Sequence, residues 1–203
     1  MTERVVSKYI KSNVFVVGNE RVCVIVDAAA ELDDVKNAVG KRRVLGVFLT
    51  HGHYDHCLFA NVYAKCFSCK VYASEKIKAY LQNPDYNYSD GKFKIEDFSA
   101  FEFLSGEGEV DLKEMKVRFH QLGGHSKSDM CFFVGDEIFV GDVLLGRDMG
   151  RTDLYGGDKE EMKKSLQYLL DVNYSIMHAG HGADNDKPIQ DKVAKLWLRF
   201  LNR

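Results

Sequence analysis

Three of the chain's seven histidines fall in one stretch, Thr50-His51-Gly52-His53-Tyr54-Asp55-His56. His51 and His53 stand two residues apart, so in extended backbone both imidazoles project to the same side. Asp55 and His56 follow where the chain must turn. His51, His53, Asp55 and His56 are of the kinds that borderline and hard divalent cations accept, and they lie almost consecutively. A single loop histidine is common in any sequence, but this combination is poorly explained as a polar surface turn. Its natural chemistry is that of a metal ion: lowering the pKa of water and stabilising negative charge on an attacked oxygen.

Three further residues of ligating type stand at the ends of apolar runs. His125 lies in Gly123-Gly124-His125-Ser126, where the glycines let the backbone turn sharply. Asp142 follows Val140-Gly141, and His181 sits between Gly180 and Gly182. Each alone reads as a loop residue; their recurrence just past strand ends, where sites form in open α/β sheets, joins them to the first cluster.

The elements that must position these groups follow from hydrophobic periodicity. Strands are expected at Asn13–Gly18 and Arg21–Asp27, joined by the turn at Gly18-Asn19-Glu20. Val24-Ile25-Val26 is β-branched throughout, which suits a strand buried on both faces. A short helix is expected over Glu31–Val39, stopped by Gly40, then a buried strand over Val44–Leu49 that runs straight into the histidine motif, with a helix starting near Asp55. Further strands are expected at Lys70–Ala73, Ala100–Leu104, Met115–Leu122, Met130–Val134, Glu137–Val140 and Tyr174–Met177. Helices are expected from Ser74, as N-cap, to Leu81, over Lys159–Leu170 and over Asp191–Leu201. Asn83–Lys92, with Pro84, Asp85, Asn87, Ser89, Asp90 and Gly91, has the composition of a loop; its Tyr86 and Tyr88 suit either a lid over a site or a solvated surface. The order is β-rich with interspersed helices in two similar halves, an α/β layered fold.

Length and composition bound the function. With 203 residues, 45% of them hydrophobic, and no low-complexity divider, the reading is a single domain over residues 1–203. The net charge of −2 gives no basic surface for nucleic acid, so a small-molecule substrate is expected rather than a nucleic-acid partner. No apolar run approaches the roughly 20 residues of a spanning helix, and Met1–Lys8 lacks the apolar region of a signal peptide. Five cysteines, an odd number, fit a reducing cytoplasm. Cys66 and Cys69 form a C-x-x-C pair without the second pair a structural zinc site needs, so ordinary thiols are expected there. His120, inside a strand, is expected to be structural, and His178 is left out of the ligand set. Trp197 on the last helix is expected in the core.

The H-x-H-x-D-H segment, followed in order by His125, Asp142 and His181, resembles the metallo-β-lactamase superfamily from about Val14 to His181. The resemblance implies an αββα four-layer sandwich with metals at one edge. It implies that His51, His53 and His125 hold a first ion, that Asp55, His56 and His181 hold a second, and that Asp142 bridges them. Asp27, at a strand end, resembles the early aspartate that supports the metal loop; an ordinary strand-end aspartate is the other reading. An aspartate at 142, rather than the cysteine of common β-lactamases, resembles dinuclear hydrolases such as glyoxalase II. So does the run Gly146-Arg147-Asp148-Met149-Gly150-Arg151-Thr152-Asp153, in which Arg147 and Arg151 could receive a substrate carboxylate, structural pairing with a nearby aspartate being at least as good a reading for Arg151.

The implied activity is hydrolysis of a thioester or ester by a metal-activated hydroxide, with Asp55 both binding metal and orienting the nucleophile. Two divalent ions are expected, zinc foremost, with iron and manganese suited to the same ligands. Only about 20 residues follow His181, so the helical domain with which full-length glyoxalase II binds glutathione has no counterpart there. Gly124 and Ser126 replace residues that are often Pro and Thr in relatives, without removing a ligand. The Gly-Arg-Thr-Asp run also resembles persulfide dioxygenases, which use one iron held by two His and one Asp; that is the alternative activity. A nuclease is disfavoured by the near-neutral charge, and a non-catalytic metal-binding module by the full ligand set.

Overall fold

A computed structural model describes residues 1–202. The first half of the chain runs β1 (Thr2–Val6), β2 (Asn13–Gly18), β3 (Val22–Val26), α1 (Leu32–Val39), β4 (Arg43–Leu49), α2 (Tyr54–Cys57), α3 (Ala60–Phe67), β5 (Lys70–Ser74), α4 (Ile77–Gln82) and β6 (Phe101–Leu104). The second half runs β7 (Glu107–Asp111), β8 (Lys116–Gln121), β9 (Met130–Val134), β10 (Glu137–Gly141), α5 (Lys159–Asp171), β11 (Ile176–Ala179), β12 (Asn185–Asp186) and α6 (Lys187–Leu201). Each half forms one six-stranded sheet, in the orders β1-β2-β3-β4-β5-β6 and β12-β11-β10-β9-β8-β7. Strands β3 to β6 are parallel, as are β10 and β11; the other pairs are antiparallel.

Alternation along the strands builds three apolar layers. Val14, Val16, Cys23, Ile25, Val47 and Leu49 face α1, α3 and α4, while the intervening Phe15, Val17, Val24, Val26 and Phe48 point the other way. These meet Val117, Met130, Phe132 and Phe139 from the second sheet, forming the layer between the sheets. Cys131, Phe133, Ile138 and Val140 face outward onto Met162, Leu166 and Leu169 of α5 and Ala194 of α6. Burying each such Val, Leu or Phe contributes about 1.5–3 kcal/mol. The result is the αββα sandwich, with Val24, Ile25 and Val26 at most 1% exposed, as a strand covered on both faces requires.

Several boundaries depart from expectation. Ser74 closes β5 instead of capping a helix, and α4 starts after Lys76; the Ser74 hydroxyl still accepts the Lys76 N–H at 3.2 Å, so it shapes the turn. The last helix begins at Lys187, earlier than Asp191, because Pro188 at its first turn is preorganised for a helix start. The strand expected at Tyr174–Met177 runs over Ile176–Ala179, since Tyr174 packs into the α5/α6 layer. β1, β7 and β12 are edge or hairpin strands whose mixed sequences carry weak alternation. Trp197 packs against the second outer core, as expected, and no helix among the described residues is long and apolar enough to cross a membrane.

The parallel pairing aims several strands at one edge. β3 ends before Asp27, β4 before Thr50 and His51, β10 before Asp142, and β11 before Gly180 and His181. Main-chain bonds then tie the two sheets together there: Met130 N–H donates to Thr50 O at 2.8 Å, and Asn13 N–H to Gly180 O at 2.7 Å. Close approach fixes two glycines. Gly124 has φ +116° and its missing Cβ would lie 2.4 Å from Met162 Cα; Gly141 has φ +55° and would meet Thr50 Oγ1 at 2.5 Å.

Candidate metal centre

The seven residues singled out by spacing converge on this edge. Ligand atoms of His51, His53 and His125 lie within 4.8 Å of one another, as do those of Asp55, His56 and His181, and those of His51, His56 and Asp142. Asp142 stands between the two triads: its carboxylate is 3.5 Å from His56 Nε2, 3.6 Å from His181 Nε2 and 3.8 Å from His125 Nε2.

The surroundings decide which ring nitrogens face inward. His125 Nδ1 donates to Arg151 O at 3.0 Å, His56 Nδ1 to Asp27 Oδ2 at 2.8 Å, and His181 Nδ1 to Lys11 O at 3.2 Å. Each therefore presents a lone pair on Nε2 to the centre. His51 pairs its Nδ1 with Thr50 Oγ1 at 3.1 Å and leaves a buried Nε2 without a partner. Facing nitrogens come close, His125 Nε2 to His53 Nδ1 at 2.9 Å and His56 Nε2 to His181 Nε2 at 3.3 Å. Asp142 Oδ1 is likewise buried without a hydrogen bond. Converging lone pairs and an orphaned carboxylate oxygen fit divalent cations, which supply the positive charge such a donor set lacks. His53 turns its other nitrogen, Nε2, into a buried position without a partner, beside the rings of Tyr88 and Tyr80.

Burial and mutual repulsion keep His51 and His53 uncharged and ready to ligate. Burial, and then the neighbouring His56, hold His51 well below the ordinary imidazole range; burial and then His125 bring His53 down to about 3. Burial also works against charge on His56, but Asp142, Asp55 and Asp27 around it push it up to about 10. For Asp55, burial favours the neutral acid, and the adjacent His56 and His181 overcome it and hold the carboxyl far below its usual range. The centre thus carries compensating anions on one side and uncharged imidazoles on the other.

Asp27 supports the centre from beneath. Its carboxylate accepts the Thr50 N–H at 2.8 Å, the Thr50 hydroxyl, and His56 Nδ1–H, so one buried group fixes the entry and exit of the histidine motif. It holds φ +63°, a region Asp tolerates better than most residues. Asp129 was not expected. It is buried and accepts the His125 and Ser126 N–H groups at 3.0 and 2.8 Å, setting the loop that delivers His125. Its signal is the Ser126-x-x-Asp129 spacing just before a strand, which lets a carboxylate take the N–H groups of the preceding turn.

The remaining expectations separate. His120 is structural, stacked on Tyr168 at 3.9 Å, and His178 bonds Glu137 at 2.6 Å, away from the ligand groups. Cys66 and Cys69 are free thiols, in none of the potential metal groups among the described residues. Arg151 borders the cavity above His53 and His125, but its guanidinium lies in a two-point pair with Asp153, 2.9 Å in each bond. Arg147 lines a different cavity, beside His181. The 83–92 loop is anchored although Asp85, Asp90, Gly91 and Lys92 are exposed: Asn87 is fully buried, and its side chain donates to Tyr80 O and Phe93 O. Tyr88 stands over the site, its ring 5.2 Å from that of His53 and its hydroxyl accepting the Tyr155 N–H, while Tyr86 stacks on Tyr155.

Comparison with known proteins follows the same geometry. The model of the metallo-β-lactamase superfamily matches residues 10–181. The "Probable metallo-hydrolase YqgX" of Bacillus subtilis (strain 168) is 27% identical over 185 residues, covering 87% of this chain and 88% of that one. The crystal structure of the BLEG-1 B3 metallo-β-lactamase superposes with a TM-score of 0.88 at 24% identity, over 95% of this chain and 97% of that one. TTHA1623 in a di-iron-bound form superposes with a TM-score of 0.81 at 21% identity, over 94% and 98%.

Proposed function

Because the chain belongs to the metallo-β-lactamase superfamily, we propose that it is a dinuclear metallohydrolase that cleaves a thioester or ester, in the manner of glyoxalase II. The observation that carries this reading is the position of Asp142 between two complete triads, within 3.8 Å of a histidine nitrogen from each. His51, His53 and His125 would hold one ion, Asp55, His56 and His181 the other, and Asp142 would touch both. Bound there, two divalent ions, zinc foremost, supply a water acidic enough to attack at neutral pH and positive charge for the oxygen under attack.

The protein's own groups do the rest. Asp55 reaches His181 Nε2 at 3.1 Å and borders the open cavity of about 430 Å³, so its carboxylate is placed to orient the attacking water as well as to bind metal. Tyr54, Tyr88, Leu145, Met149 and Leu154 give that cavity a largely apolar wall, which suits the acyl part of a thioester or ester. Tyr88, whose hydroxyl accepts the Tyr155 N–H, forms part of one side of it. The metallo-hydrolase name of the Bacillus relative supports the reaction class. The one-iron persulfide dioxygenase reading leaves Asp55, His56 and His181 without employment, although all three converge.

A panel of thioesters, esters, lactones and phosphodiesters, run on metal-loaded protein, tests the reading. Thioester or ester turnover is expected, with His53→Ala reducing it to background while the folded circular dichroism spectrum is kept. Oxygen uptake with glutathione persulfide and no ester or thioester turnover would overturn it, as would full activity in the His53→Ala variant.

A further inference from the structure

The turn after Asp142 divides the approach to the centre. Leu145 N–H donates to Asp148 O at 2.8 Å and Leu144 bridges Met149, so residues 145–148 form a tight projection. Asn185 Nδ2 donates to Gly146 O at 2.8 Å, and a Cβ on Gly146 would lie 2.8 Å from Ala183 O, so the projection is braced against the chain after His181. Leu145 faces a cavity on each side. One, of about 430 Å³, reaches His53, His125, Asp55 and Asp142. The other, of about 400 Å³, reaches His181 at the opposite end of the ligand cluster.

The two cavities differ in charge. The first includes Asp55, Asp142 and Asp148 in its lining, and its one guanidinium, Arg151, is already paired with Asp153. The second has no carboxylate in its lining and a single guanidinium, Arg147, at the tip of the braced turn. Arg147 makes no hydrogen bond or ion pair among the described residues, whereas its backbone is fixed on both sides. A guanidinium free of partners, on a fixed turn, beside a cavity that opens on the reacting centre, suits a planar anion held by two parallel bonds.

We propose that the substrate lies across the centre with one arm in each cavity, and that the arm on the His181 side carries a carboxylate held by Arg147. This rests on the metallohydrolase reading for the bond that is cut, but the anion site stands on Arg147 and its cavity. It also gives the two arginines different roles: Arg147 selects the substrate, and Arg151 is held in its own ion pair.

Two measurements on the metal-loaded protein test it. The first is calorimetric binding of 3-mercaptopropionate against 3-mercaptopropionamide, which differ only in the carboxylate. The acid is expected to bind about tenfold more tightly to the unmodified chain, as one charge-assisted pair gives. The preference should vanish in Arg147→Ala and persist in Arg151→Ala. No preference in the unmodified chain, or the same preference in Arg147→Ala, overturns the proposal. The second compares kcat and KM for matched thioesters with a carboxylate or an amide on one arm. The acid should be favoured through KM, and Arg147→Ala should lose that advantage; an advantage carried by kcat, or unchanged in the variant, counts against the site. If the acid probe is preferred through Arg147 but no thioester or ester is hydrolysed, the anion site stands and the hydrolase reading falls. Turnover without any acid preference gives the reverse.

Discussion

Asp142→Ala is expected to lower hydrolysis by a factor on the order of 10³ or more, with kcat and kcat/KM falling together. Among the described residues Asp142 is the one carboxylate that approaches nitrogens of both triads, at 3.5 to 3.8 Å, and it holds no hydrogen bond on Oδ1 that its removal would break. The variant should therefore fold. Its loss should appear in metal content, with the second ion retained weakly or not at all, because each triad keeps its own three groups but the link between them is gone. Equilibrium dialysis and steady-state kinetics on the same preparation check both halves. A variant that keeps both ions tightly and still loses turnover would assign Asp142 a purely catalytic role, contrary to the bridging position.

Asp27→Ala should be the most damaging change at a residue outside the seven that would ligate metal. Its carboxylate is buried and satisfies the Thr50 N–H, the Thr50 hydroxyl and His56 Nδ1 together. Removing it strands buried donors and frees His56 to rotate, so a loss of about 3 kcal/mol is expected, or a Tm lower by roughly 6–12 °C. Metal affinity should fall about 10- to 100-fold, as when a partner that orients a ligating histidine is lost. Asp27→Asn separates the two effects. Asn tolerates φ +63° and can still accept the Thr50 N–H, so stability should largely return. It offers His56 no anion, so the weakened metal binding should remain. Scanning calorimetry and metal titration of both variants decide it; equal metal affinity in Asp27→Asn and the unmodified chain would show that the aspartate acts on folding alone.

The parts of this site that were legible in the sequence are those whose ligands are local. Thr50 to His56 places four groups on one short segment, and the buried strand expected at Val44–Leu49 before it fixes where that segment must lie. His125, Asp142 and His181 were legible only as strand-end residues, because which strand ends meet depends on sheet order. Once β3–β4 and β10–β11 are parallel and the sheets face each other, those ends are brought to one edge. Asp27 was evenly balanced by sequence, since only the fold brings Thr50 and His56 onto it. Asp129 was missed because Ser126-x-x-Asp129 is a short polar spacing common in turns, and only the fold buries its carboxylate against the His125 and Ser126 N–H groups. β1 was missed for a different reason: Thr2-Glu3-Arg4-Val5-Val6 is an edge strand, half exposed, with polar residues at both kinds of position. Pairing of Arg151 with a nearby aspartate was already one reading of the sequence; the fold shows that partner to be Asp153 and places Arg147 beside a different cavity.

The central claim is that this edge holds two metal ions. Elemental analysis of protein purified without added metal, prepared with and without oxygen, tests it most directly. Close to two divalent ions per chain, zinc or a mixture with iron or manganese, is the result expected of two triads joined by Asp142. A single iron per chain, unchanged when zinc or manganese is supplied in excess, would contradict it and leave Asp55, His56 and His181 to be explained as something other than a metal site.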